Sequence, residues 1–198
     1  MEKREFAYLD HDLSMSEKLL VERRRLRDGV DEDEKIVGFA FQVYVVRCKG
    51  DAPAVLERAK HILEIINEHS LAGRWPSNEE WCGFLPEWFV AYWAPERTRE
   101  EREKFQEKLR AMSFEEQRED ALTRRWSLRA WLGWMEPEER QWLWLDSRIR
   151  DPDTILVAVD EVGEMGESVF RWLFRACGSE SSDYAETEEE FVWRIVQA

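Results

Sequence analysis

Trp142-Leu143-Trp144-Leu145-Asp146-Ser147-Arg148-Ile149 and Thr154-Ile155-Leu156-Val157-Ala158-Val159 flank the tripeptide Asp151-Pro152-Asp153. Two apolar runs of strand length around a proline and two aspartates, the residue types of a tight reversal, predict a β-hairpin with strands over 141–149 and 154–160. Upstream, Val37, Phe39, Phe41, Val43 and Val45 recur at period two. That spacing puts side chains on one face of a sheet and predicts a strand over 36–47. Phe191-Val192-Trp193-Arg194-Ile195-Val196 adds a final strand over 191–197.

Helical signals fill the space between. Ser14-Met15-Ser16-Glu17 has the form of a capping box, and Gly29 closes the arginine-rich surface helix that it opens, over roughly 15–28. Val55, Leu56, Ala59, Ile62, Leu63 and Ile66 stand at three- and four-residue spacing behind Asp51 and Pro53, an amphipathic helix over 52–69. Ser77 caps a short helix, and Pro86 starts another that runs to Trp93. Residues 97–119 form an exposed helix or helical pair, with Phe105, Leu109, Met112 and Phe114 as a thin apolar stripe. Helices over 126–135 and 168–178 follow, the second opened by Ser168 as cap after the glycine-bearing turn Gly163-Glu164-Met165-Gly166 and ended by Gly178. Strands and helices do not alternate regularly, so the expected class is α+β: one domain over 1–198, a small mostly antiparallel sheet with helices on one face. Residues 1–30 are its peripheral helix and 179–190 an acidic loop or mobile link.

Charge narrows the function classes. The formal net charge is -14, with 43 carboxylates against 29 lysines and arginines. A phosphate backbone or an anionic lipid surface would be repelled, so neither nucleic acid nor membrane is an expected partner. No run of the roughly 18 apolar residues of a membrane span occurs, and no apolar leader follows Met1. With three widely spaced cysteines, Cys48, Cys82 and Cys177, the expected location is the cytoplasm.

No stretch carries a specific catalytic or metal-binding signature. His61 and His69 stand eight residues apart, too far for two imidazoles one helical turn apart to grip a metal. Asp10-His11-Asp12 offers adjacent ligands that rarely converge on one ion. Gly163 to Ser168 lacks the lysine of a phosphate loop and carries two glutamates. Gly-x-Ser-x-Gly is absent. Neither cofactor nor metal is expected. Two carboxylates meeting in space would leave no trace in spacing, which keeps a small enzyme or ligand-binding domain with an aromatic, carboxylate-lined cleft as the alternative reading.

Nine of the eleven tryptophans fall between Trp75 and Trp144. Trp131, Trp142, Trp144 and Trp172 lie among leucines and read as core. Trp75, Trp81, Trp88 and Trp93 sit in short, proline-interrupted helices and read as partner contacts, since tryptophan often anchors interfaces. The acidic runs Asp31-Glu32-Asp33-Glu34 and Glu186, Glu188, Glu189 and Glu190 complete the candidate surface for a basic partner, which acidity would attract.

Gly83 to Val90, Trp126 to Trp142 and Phe170 to Gly178 resemble a family of small acidic, tryptophan-rich bacterial proteins of uncharacterised function, over about residues 36–178. In size, acidity and α+β layout the chain is also similar to immunity proteins that neutralise secreted polymorphic toxins. The resemblance carries over no catalytic or binding residue. It implies a non-enzymatic, cytoplasmic module that occludes a basic toxin domain, with the acids steering and the tryptophans anchoring.

Overall fold

The computed structural model describes residues 13–30, 41–161 and 165–185. They form an α+β fold in the order α1 (Met15–Asp28), β1 (Phe41–Arg47), α2 (Ala52–Leu71), α3 (Asn78–Phe84), α4 (Glu87–Tyr92), α5 (Arg99–Ala111), α6 (Phe114–Thr123), α7 (Leu128–Gly133), β2 (Trp142–Asp151), β3 (Thr154–Glu161), α8 (Gly166–Ala176) and β4 (Ser181–Tyr184). The four strands pair antiparallel in the order β2-β3-β1-β4. Among the described residues no helix is long and apolar enough to cross a membrane.

The hairpin forms as its residues dictate. Asp151 stands opposite Thr154, and the Asp151 carboxylate accepts from the Asp153 amide at 2.9 Å, folding the turn back on itself. The turn then organises the next element in space. Cys48 N–H donates to Asp153 O at 2.7 Å and Ala52 N–H to Pro152 O at 2.9 Å. The first amide of α2 is thus satisfied by the hairpin, while the Asp51 side chain makes no capping bond.

Both faces of the sheet are covered, whereas the sequence pointed to helices on one. Tyr44 and Val46 of β1, Trp142 and Trp144 of β2, and Ile155, Val157 and Val159 of β3 join the main core with α2 and α8. Val43, Leu143, Leu145, Leu156 and Ala158 on the opposite face pack with Leu19 of α1. A central strand covered on both sides is apolar at every position, which is why β3 carries no alternation.

Two expectations on the strands and caps change. β1 covers Phe41–Arg47 of the strand expected over 36–47; residues 36–40 lie outside the described residues, as does the expected strand over 191–197. Residues 181–184, read as loop, pair with β1 from Arg47↔Ser181 to Tyr44↔Tyr184. Four polar residues on a sheet edge need backbone bonds more than apolar burial, so they carry no periodic signal. Ser168 is not a cap: α8 starts at Gly166 after Met165, and Ser168 is buried inside the first turn.

The capping box of α1 forms as read, Ser14 with Glu17, but the helix is more than a surface element. Its Glu22 is buried and paired with Arg140. One carboxylate oxygen accepts from the Arg140 guanidinium at 2.6 Å and from the Trp144 amide at 2.8 Å; the other accepts from the Asn67 side chain at 3.0 Å. Asn67 also donates to Leu19 O at 2.9 Å, and Arg140 to Trp142 O at 3.0 Å. The two charged side chains have no solvent exposure. Burial pulls the Arg140 pKa down and Glu22 pulls it back.

Seven of the ten described tryptophans are buried, and several serve as donors to the backbone. Trp126 and Trp172 both donate to Ala121 O, at 2.9 and 2.8 Å, tying α8 to the end of α6. Trp131 donates to Val169 O at 3.0 Å, tying α7 to α8.

Removing one member of the Glu22–Arg140 pair strands a buried charge. Glu22→Ala is therefore expected to lower the unfolding free energy by roughly 3–5 kcal/mol, and Glu22→Gln, which keeps an acceptor, by less. Urea denaturation measures both. A loss within the scatter of ordinary surface substitutions would show that the pair is dispensable.

Candidate functional site

The four candidate tryptophans separate by burial. Trp81 is 0% exposed and Trp93 6%, so neither can touch a partner while the fold is intact. Trp75 is half-buried against Trp81, with ring centroids 4.8 Å apart. Trp88 is 40% exposed, and Phe84, not singled out in the sequence, is 44% exposed. The acidic runs Asp31 to Glu34 and Glu186 to Glu190 lie outside the described residues.

Spacing explains the division. Trp81, Leu85, Phe89 and Trp93 stand four apart and are all buried. The inward face thus continues from α3 into α4 across the break at Pro86. Phe84 and Trp88 occupy the next row, turned outward. The signal was available in the sequence, but only by carrying helical periodicity through a proline that stops each helix.

This outward row rests on a rigid base. Ser77 and Glu80 form the capping box of α3, and Arg74 pairs with Glu80. Glu80 consequently titrates at about 2, held down first by the Ser77 amide and then by Arg74. His69 of α2 lies against Phe84, centroids 4.2 Å apart, and edge-on to Trp81 at 5.0 Å. Glu79 and Glu87 are exposed nearby in sequence, and no lysine or arginine occurs between Arg74 and Arg97. The segment therefore presents aromatic rings and carboxylates without a cation of its own.

A second group of titratable side chains was invisible to sequence reading. Glu161, the last residue of β3, accepts from Tyr44 OH at 2.6 Å and lies 3.4 Å from Tyr184 OH. Tyr44 and Tyr184 are cross-strand partners with rings 4.7 Å apart, and Phe170 stacks on Tyr44 at 4.0 Å. The carboxylate presses on the start of α8 so closely that a Cβ on Gly166 would meet Glu161 Cγ at 2.8 Å. Beside it Glu167 is paired with Arg118 at 2.6 Å and with Arg171 at 2.8 Å. Burial first, and the Glu167 charge after it, raise the Glu161 carboxyl above the ordinary range, opposed by the Tyr44 hydroxyl. Burial also pushes Tyr184 to about 12 and Tyr44 well above the usual phenol. The phenols are donors here and the carboxyl is the group able to exchange a proton. Its partners come from the middle of β1 and the end of β4, 117 and 23 positions away, so no spacing could reveal them.

Among the described residues no three histidine, cysteine, aspartate or glutamate side chains converge as a metal site. Comparison with protein-family models, with curated proteins and with solved structures finds no match for the chain.

A carboxyl raised on folding favours the native state at low pH and loses that contribution as pH climbs through its folded-state value. The unfolding free energy of the wild type relative to Glu161→Gln is therefore expected to fall as pH rises above the ordinary glutamate value of about 4.3. Denaturation series on the two proteins measure this difference; a difference independent of pH would mean that Glu161 titrates normally.

Proposed function

We propose that the protein is a non-enzymatic protein-binding module, and specifically a cytoplasmic immunity protein that occludes a basic toxin domain. The observation that carries the reading is the outward row of α3 and α4. Among the described residues Trp88 is the one tryptophan left largely exposed, next to exposed Phe84, in a stretch that holds acids and no bases. An indole kept at the surface of a chain that buries most of the others is suited to anchor an interface. The net charge of -14 supplies long-range attraction for a cationic partner, a contribution to encounter rate that salt weakens. Asp31 to Glu34 and Glu186 to Glu190 are proposed to add to that steering. Free Cys48, Cys82 and Cys177 suit a reducing compartment.

The rival reading, a small enzyme, draws on one observation, the raised carboxyl of Glu161 beside the partly exposed Tyr184. Its side-chain partners are Tyr44 and Tyr184, and the tryptophan opposite it on β2, Trp142, is buried. The aromatic surface and the perturbed carboxyl thus belong to different places in the fold, which favours the binding reading.

The test pairs the purified protein with the basic product of the adjoining reading frame. Kd is expected to rise with salt, and Trp88→Ala is expected to weaken binding by a hot-spot increment of about 2 kcal/mol or more, roughly thirtyfold, with the thermal midpoint of the free protein nearly unchanged. Co-expression is expected to rescue cells from that product, and Trp88→Ala to rescue less. Absence of binding, or a Kd indifferent to both salt and Trp88→Ala, would contradict the reading.

A further inference from the structure

Arginines from two separated segments meet in a cleft of about 440 Å³ between α5 and α7. Arg97 enters from the link before α5, Arg102 from α5 itself, Arg124 from the end of α6, and Arg129 from α7; Phe105 and Trp134 provide the apolar lining. The floor is fixed by backbone: Ala94 N–H donates to Trp126 O at 2.8 Å, and Ala94 and Ser127 form an isolated parallel bridge. The two segments that carry Arg97 and Arg129 are thereby held side by side. Arg102 adds a bond to Arg97 O at 2.9 Å.

The arrangement places like charges together. The guanidinium carbons of Arg97 and Arg124 both lie over the Phe105 ring, at 3.9 and 4.3 Å from its centroid. Arg124 is paired with Asp120 at 2.6 Å. Neighbouring cations are likewise matched, Arg99 with Glu103 and Lys104 with Glu100. Arg97, Arg102 and Arg129 have no carboxylate within ion-pair distance among the described residues. Burial first, and then the nearby Arg124 charge, work against the charged form of Arg97, opposed by Asp120, Glu101 and Glu96. In a chain with a large excess of carboxylates, a cleft lined by Arg97, Arg102, Arg124 and Arg129 against Glu96 and Glu139 carries the opposite balance of charge.

We infer that this cleft is a binding site for a small multivalent oxyanion, bearing phosphate or carboxylate groups, held by the guanidinium forks of Arg97, Arg102 and Arg129. Planar guanidinium groups bind such oxygens in bidentate fashion. The cleft volume lies in the range of small-molecule sites. A long polyanion such as nucleic acid would extend over the acidic surface and be repelled, while beyond about 8–10 Å physiological salt screens that surface from a compact ligand seated in the cleft. Glu96 and Glu139 also line the cleft. They limit its positive character to the arginine side and so favour a compact anion over an extended one.

Isothermal titration of the full chain with sodium tripolyphosphate and, separately, with citrate, at matched ionic strength, tests the site. One-to-one binding of at least one of them is expected. Tighter tripolyphosphate identifies a phosphate-bearing ligand and tighter citrate a carboxylate-bearing one. Arg102→Ala with Arg129→Ala is expected to weaken binding at least roughly tenfold, the effect of losing a charge-assisted hydrogen bond. Arg129→Lys, which keeps the charge and removes the fork, is expected to weaken it less, and Arg99→Ala, outside the cleft, not at all. Arg102, Arg129 and Arg99 are exposed, so circular dichroism melts should be unchanged. Failure of both anions to bind, binding unaffected by the double substitution, or equal loss in Arg99→Ala would overturn the inference.

Discussion

The carboxylate of Glu22 is the constraint around which this fold is assembled. A charge carried into the interior must be met there, and three elements meet it: β2 through the Trp144 amide, α2 through Asn67, and the segment before β2 through Arg140. Satisfying one side chain therefore sets α1 against α2 and sets the start of β2 against α1. Arg140 then draws the Trp142 carbonyl to itself, at the point where Trp142 and Trp144 enter the main core. Apolar burial drives the collapse, but it tolerates many arrangements. The hydrogen bonds to Glu22 admit very few.

Tryptophan fills most of what remains. Ala121 O receives two indole N–H groups and Val169 O a third, so the rings act as hydrogen-bonded ties between helices as well as bulk. Phe89, Trp93 and Trp131 pack with centroids 5.3 to 5.4 Å apart. With so many rings committed inward, Trp88 is the one tryptophan described as exposed, and the exposed acids Glu79 and Glu87 stand near it in sequence. The proposed protein contact and the arginine cleft follow from the same partition. One surface carries rings and acids, the other gathers arginines that the acids around them do not neutralise.

Much of the fold was legible in the sequence because it rests on local rules. The Asp151-Pro152-Asp153 reversal, the Ser14 capping box, the Ser77 cap and the periodicity of α2 each act over a few residues, and each forms. What escaped notice depends on distant partners. Glu22 and Arg140 look like surface residues until 118 positions of chain bring them together. Four polar residues become β4 only because the edge of β1 is open to pair with them. Trp81 and Trp93 read as surface residues because Pro86 interrupts the helices, although the four-residue spacing runs through it to a buried face. The cleft was hidden by counting charge over the whole chain, since its arginines come from residues 97–102 and 124–129 and the excess of acid masks them.

If Glu22 is the keystone, α1 has no independent existence as a fraying surface helix. Native-state hydrogen exchange followed in increasing, sub-denaturing urea resolves the matter, because it separates local openings from global ones. The α1 amides near Glu22, those of Arg25 and Leu26 among them, are predicted to exchange only through global unfolding, with the same free energy and urea dependence as the β3 amides. Exchange of these α1 amides through a lower-energy opening, with β3 still protected, would contradict the account.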